Sequence, residues 1–192
     1  MNNETFIREQ FSESLNVLET FIASNPFPAI DEAIQWISES LKNGHKVISC
    51  GNGGSMSDAM HFAEELSGRY RNNRPSLAAI SISDPTHLTC VGNDYGFDFV
   101  FSRFIEGVAK KGDVLLGIST SGNSKNVIHA VSTAKNMGIK TIVLTGKDGG
   151  ELSKIADLEI RAPHSLYADR AQEIHIKIIH AIIGGIEKTL DY

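Results

Sequence analysis

Apolar residues recur along this chain at two different periods, and the change from one to the other divides it. Over residues 5–23, Phe6, Phe11, Leu15, Leu18 and Ile22 fall at roughly helical spacing until Asn25-Pro26-Phe27-Pro28 breaks the pattern. Residues 29–42 carry Ile30, Ala33, Ile34, Ile37 and Leu41 on one side, and Asn43-Gly44 closes them. The first helix has no strand ahead of it to receive its apolar stripe. That stripe is therefore expected to cover another subunit.

From residue 44 the pattern changes. Short, nearly continuous apolar runs at 46–50 (KVISC), 77–83 (LAAISIS), 113–119 (DVLLGIS), 140–146 (KTIVLTG) and 158–162 (LEIRA) read as five strands. Helical stretches separate most of them, notably a helix running to about Gly68, another at 124–137 and a long last one at 168–189. Such alternation predicts an α/β fold with a parallel sheet covered on both faces, which binds ligands outside the carboxyl ends of its strands. Nothing in the chain marks a linker, so the expectation is one domain over 1–192, with a helical segment at 1–43 and an α/β core at 44–192.

Composition narrows the function. The 192 residues have a net charge of −5, which argues against the basic patch that non-specific nucleic-acid binding requires. The polar, amphipathic N-terminus has neither the basic nor the apolar region of a signal peptide, and no apolar run approaches the roughly 20 residues of a membrane span. Both cysteines, Cys50 and Cys90, adjoin apolar runs and read as buried free thiols. A soluble cytoplasmic protein, binding neither nucleic acid nor membrane, is expected.

Two polar turns follow strands and open helices. Gly51-Asn52-Gly53-Gly54-Ser55 can bring bare backbone N–H groups to an anion at a helix N-terminus; the simpler reading is a tight turn with Ser55 as the helix N-cap. It is neither a dinucleotide fingerprint nor a Walker loop, because Met56 stands at the last glycine position and no Gly-Lys-Ser/Thr follows. Ser119-Thr120-Ser121-Gly122-Asn123-Ser124 repeats the arrangement with more hydroxyls than a plain loop needs, which suggests a neutral phosphate cradle.

Ionisable side chains supply the candidate chemistry. His61 and Glu65 share a helix face with Asp58 and Arg69, directly beneath the first turn. The pair suits a solvated helix face, a general base or a metal such as zinc. On the last helix, His175 reads as an edge residue. His180, set among isoleucines, is either a satisfied core residue or a tuned acid, base or ligand. Asn93-Asp94 reads as a polar loop whose carboxylate could touch a sugar hydroxyl, and 145–150 (TGKDGG) as turn chemistry.

These residues together resemble the sugar isomerase (SIS) domain and, more narrowly, the bacterial phosphoheptose isomerases. The resemblance rests on CGNGGS at 50–55, HFAEEL at 61–66, VGND at 91–94, GISTSGNS at 117–124, LTGKDGG at 144–150, and ADR, QEIHI and IIH within 168–180. It implies a three-layer α/β/α sandwich on a five-stranded parallel sheet, with N-terminal helices used in oligomerisation and active sites at the contacts of a homotetramer. The implied activity is conversion of sedoheptulose 7-phosphate to glycero-manno-heptose 7-phosphate, the first step toward the heptose of lipopolysaccharide. Carried over by position, the resemblance makes His61, Glu65, Gln172 and His180 a zinc site, with one Zn2+ per subunit. It gives the phosphorylated seven-carbon sugar to Asn52, Gly53, Gly54, Ser55, Glu65, Arg69, Asn93, Asp94, Ser119, Thr120, Ser121, Ser124, Asp169 and Gln172, with Glu65 and His180 catalytic.

Aldose–ketose isomerisation moves a proton between adjacent carbons through an enediol, and a carboxylate and an imidazole suit that work. Two rivals remain at this level. A non-catalytic SIS module, binding the replication initiator or sensing a sugar phosphate, would share the hydroxyl-rich loop but has no need of the His61, Glu65, Gln172 and His180 set. An isomerase for a shorter sugar phosphate would differ only in pocket length.

Overall fold

Each of the five apolar runs becomes a strand, because alternate side chains along it have a helical layer to meet on each side. The computed structural model describes residues 2–192. Helices α1 (Asn3–Ala23) and α2 (Phe27–Lys42) lead into strand β1 (Val47–Gly51) and helix α3 (Gly54–Ser67). Strand β2 (Ala79–Ser81) is followed by α4 (Pro85–Asp94), a 3-10 turn at Phe97–Phe99 and α5 (Val100–Val108). The chain continues through β3 (Val114–Ser119), α6 (Lys125–Asn136), β4 (Lys140–Thr145), α7 (Leu152–Ile155), β5 (Leu158–Arg161) and α8 (Ala168–Thr189). The strands form one five-stranded sheet in the order β2-β1-β3-β4-β5, with every pairing parallel.

The period of two sorts strand residues between two cores. Val47, Val114, Leu116, Ile118, Ile142, Leu144 and Ile160 pack with Ala33 and Ile37 of α2, Phe62 and Leu66 of α3 and the isoleucine stripe of α8. Their neighbours Ile48, Cys50, Leu115 and Val143 face the other way, onto Val91, Phe101, Ile105, Val127, Val131 and Leu152 from α4 to α7. At about 1.5–3 kcal/mol for each fully buried aliphatic side chain, these two layers hold the fold together. The expected three-layer sandwich on a parallel sheet is what forms.

Several local expectations change. Strand β2 is shorter than 77–83 and leaves Ile80 exposed, because it lies at the sheet edge and lacks a partner on one side. Residues 91–94 are no loop but the last turn of α4, a helix started by Pro85 and by Asp84, whose side chain accepts from the His87 N–H at 2.8 Å. That helix turns Cys90 outward, so only Cys50 is a buried thiol. His175 is fully buried rather than at an edge, its Nε2 bonded to the Thr145 carbonyl at 2.8 Å. Helix α1 keeps its stripe in the open, with Phe11 75% exposed and Phe6, Ile7, Leu15 and Ile22 half or more exposed.

Because β1 lies between β2 and β3, its own connection and that of β3 leave toward opposite faces. The carboxyl ends of β1 and β3 pair through Gly51 and Ile118, then diverge into α3 on one face and α6 on the other. This is a topological switch point, where open α/β sheets form a ligand crevice.

Candidate active site

The turn after β1 is built on backbone freedom and close approach. Gly53 caps α3 at φ 54°, ψ −121°, a conformation that L side chains rarely adopt. A Cβ on Gly51 would come within 2.6 Å of the Ser55 carbonyl, and one on Gly54 would collide with the Gln172 amide of α8. Ser55 is therefore not the N-cap: it is buried in the first turn of α3, with its N–H bonded to the Asn52 carbonyl at 3.0 Å. The exposed Gly53 and Gly54 N–H groups take no partner among the described residues, at the positive end of α3.

The loop after β3 is a hydroxyl nest. Ser119 Oγ lies 2.9 Å from Ser124 Oγ and 3.5 Å from Ser121 Oγ, which accepts the Asn123 N–H at 3.1 Å. Ser124 stands at the N-cap of α6 without a side-chain capping bond, so its hydroxyl serves the nest and leaves the helix end free for an anion. The turn at 145–150 buttresses this loop. Gly122 (φ 67°) seats against Gly149, the Leu152 N–H donates to the Gly122 carbonyl at 3.0 Å, and the Glu151 N–H donates to Asn123 Oδ1 at 3.0 Å.

A residue absent from the sequence reading joins the two turns. Asn126, buried on α6, exchanges amide hydrogen bonds with Asn52 at 2.9 and 2.8 Å. Each Asn52 amide group is thereby half used, and the backbone of Gly53 and Gly54 is left as the surface that the turn offers. A single asparagine in a helix's first turn gives no sequence signal of a partner 74 residues away.

The third part lies between α3 and α8. His61 Nε2 faces His180 Nε2 at 3.0 Å, with Glu65 Oε1 3.6 Å from the same His61 nitrogen. Glu64 Oε1 sits 3.2 Å from His61 Nδ1, and His61, Glu64 and Glu65 offer donor atoms within 4.8 Å of one another. Tyr70 stacks on His180 at 5.8 Å between centroids, and neither it nor Glu64 carries a sequence signal that sets it apart. Burial holds the His180 pKa below its ordinary value; His61, Arg71 and Lys177 push the same way, and Glu65 opposes them. The neutral imidazole, with a lone pair to offer, is thereby favoured over the charged form. One turn earlier on α3, burial pushes Asp58 up to about 6 against the opposing influence of His61, and its Oδ2 has no partner among the described residues.

Two facing imidazole nitrogens and a carboxylate oxygen are a borderline donor set, which fits zinc. Gln172 lies at the other end of the α3–α8 contact, over Gly54, about 12 Å along the helix from His180 at 1.5 Å per residue. Asn93 and Asp94 are exposed at the end of α4, joined by a 2.8 Å bond. Arg69 and Asp169 are exposed; Asp169 accepts the Arg170 N–H at 2.9 Å. Thr120 and Ser121 are half-buried beside Ser119.

Known proteins resemble this chain over nearly its whole length. The family model of the SIS domain matches residues 10–146. The chain is 58% identical over 189 residues to the phosphoheptose isomerase of Vibrio vulnificus, covering 98% of this chain and 99% of that protein. Among solved structures, it resembles the phosphoheptose isomerase of Neisseria gonorrhoeae with a TM-score of 0.91 at 38% identity, covering 97% of this chain and 100% of that one. That of Francisella tularensis gives a TM-score of 0.93 at 35% identity, covering 98% and 100%.

Proposed function

The chain belongs to the SIS domain family and, within it, to the phosphoheptose isomerases, and from that premise we propose how its residues divide the work of the reaction. The protein is an aldose–ketose isomerase. It converts sedoheptulose 7-phosphate to D-glycero-D-manno-heptose 7-phosphate, the first step toward ADP-heptose. The observation that carries the assignment of roles is the meeting of His61 and His180, from two distant helices, beside Glu65.

The nest of Ser119, Thr120, Ser121 and Ser124, with the free end of α6, takes the phosphate. The Gly53 and Gly54 amides hold sugar oxygens, and Ser55, Arg69, Asn93, Asp94, Asp169 and Gln172 complete the sugar site. Glu65 removes the proton from C1 of the ketose and returns it to C2. His180, neutral, relays a proton between the oxygens on C1 and C2, so nothing is consumed and no external acid or base is needed. Anchoring at the phosphate end converts remote binding energy into alignment of C1 and C2 with these groups.

His61, Glu65 and His180 would hold a zinc ion, and Gln172 would complete the set only by turning away from its place over Gly54. When bound, the ion would act as a Lewis acid on the sugar oxygens that become negative in the enediolate. The exposed apolar stripe of α1 supports assembly through that helix, and we assign it to contacts within a homotetramer. No helix among the described residues is long and apolar enough to cross a membrane. Two free thiols fit a cytoplasmic setting.

The test is direct. The protein incubated with sedoheptulose 7-phosphate should form the aldose, lose turnover with a chelator and regain it with zinc. Tight binding of the sugar phosphate without turnover would favour a binding module instead. Turnover untouched by the chelator would remove the metal.

A further inference from the structure

The helices that bring His61, Glu65 and His180 together are fastened to each other by a buried ion pair outside the site. Helix α3 ends at Ser67, and its last turn carries no basic residue of its own. A helix C-terminus leaves carbonyls without partners and concentrates partial negative charge. Arg74, arriving from the following loop, supplies both needs. Its Nη2 donates to the Glu65 carbonyl at 2.7 Å and its Nη1 to the Leu66 carbonyl at 2.7 Å and the Pro75 carbonyl at 3.1 Å. Its Nε donates to Glu187 Oε1 at 3.0 Å, and the two side chains are 0% and 3% exposed.

Glu187 lies seven residues beyond His180 on α8, two turns along nearly the same face. One planar guanidinium therefore grips the backbone of Glu65 itself and the helix that carries His180. At the other end of the same contact, the Gln172 amide lies directly on Gly54. The pair of helices is thus set at both ends, with the facing imidazoles between.

We propose that Arg74 and Glu187 are positioning residues for the isomerisation: they fix the register of α3 against α8 and so the approach of Glu65 and His180 to C1 and C2. This rests on the assignment of those two residues as the reacting groups. The clamp lies at the end of α3 opposite the Gly53–Gly54 turn and touches no element of the phosphate nest, so it acts chiefly on the chemical step.

Three variants test it, each measured for kcat, KM and thermal melting. Glu187→Gln keeps an acceptor for Arg74 and should stay within about threefold of the parent kcat. Arg74→Lys keeps the charge but loses the planar fork. It should remain folded and lose about tenfold in kcat with KM within twofold. The double variant Arg74→Met with Glu187→Leu replaces a buried ion pair by apolar volume, a change that folds often tolerate. It should lose up to about 100-fold in kcat, the scale expected of a 1 Å misplacement, with KM again held.

Normal kcat in the folded double variant overturns the proposal, as does equal loss in kcat and affinity. If the double variant does not fold, Arg74→Lys decides on the same criteria. Glu65→Gln runs alongside. Normal turnover there would instead overturn the assignment of the reacting groups, whatever the clamp variants do.

Discussion

The hydroxyl nest and the imidazole pair are built in opposite ways. The nest is local: Ser119, Ser121 and Ser124 meet within a single loop, and the strand end and helix start that frame it adjoin them in the chain. The pair is global: His61 and His180 are 119 residues apart and meet only because α3 and α8 pack side by side on one sheet face. Local construction gives a rigid anchor that survives small shifts of distant helices. Global construction makes the geometry of the pair depend on helix packing, and hence on residues outside it such as Arg74, which bonds the Glu65 carbonyl and Glu187. Binding and chemistry should therefore fail separately.

The largest effect is expected where the pair is broken. His180→Gln should cut kcat by about 10²- to 10⁴-fold, the range of a lost general acid–base, while phosphosugar affinity stays near the parent value. Steady-state kinetics with calorimetric binding measures both. An equal loss of affinity would merge the two regions.

His175, five residues earlier on the same helix, should do the reverse. Burial lowers its pKa from 6.5 to about 4, with the Thr145 carbonyl bond opposing. The folded state therefore excludes a proton that the unfolded chain binds between those values. Stability from this residue is complete above pH 6.5 and is lost as pH falls toward 4. That loss is worth about 3 kcal/mol at roughly 1.4 kcal/mol per pH unit. His175→Gln should flatten the denaturation midpoint over that window and leave kcat within about threefold.

In the nest, Ser121→Ala should raise KM about tenfold and leave kcat nearly intact, since one hydrogen bond to a charged group is worth about 1.5–3 kcal/mol. A fall in kcat with unchanged KM would show that the nest takes part in the chemistry. The smallest effect is one of labelling. A thiol reagent should modify one cysteine of the native protein, the exposed Cys90, and a second only after unfolding. Cys50 is buried and its pKa is pushed up to about 12 by that burial. Rapid loss of both thiols would contradict the packing of β1 against α4 to α6.

The same difference decides what could be read in advance. The strands and α8, at residues 168–189, follow from period and run length alone. The nest shows itself as a contiguous excess of hydroxyls. The pairing of His61 with His180 has no local signature, and the residues imply it only through resemblance to a family. Asn126, Tyr70 and Arg74 are single polar or aromatic residues whose partners lie far away in the chain, so nothing at their positions marks them. The end of α4 misleads for a different reason. Gly92-Asn93-Asp94 has the composition of a turn, and packing against the second core overrides it.

The central claim is that Glu65 moves the carbon-bound proton while the nest holds the phosphate. Hydrogen exchange at C1 of sedoheptulose 7-phosphate in deuterated water, followed by NMR with Glu65→Gln, tests it most directly. The account predicts no exchange above background with phosphosugar affinity unchanged. Exchange at a near-parental rate would contradict it.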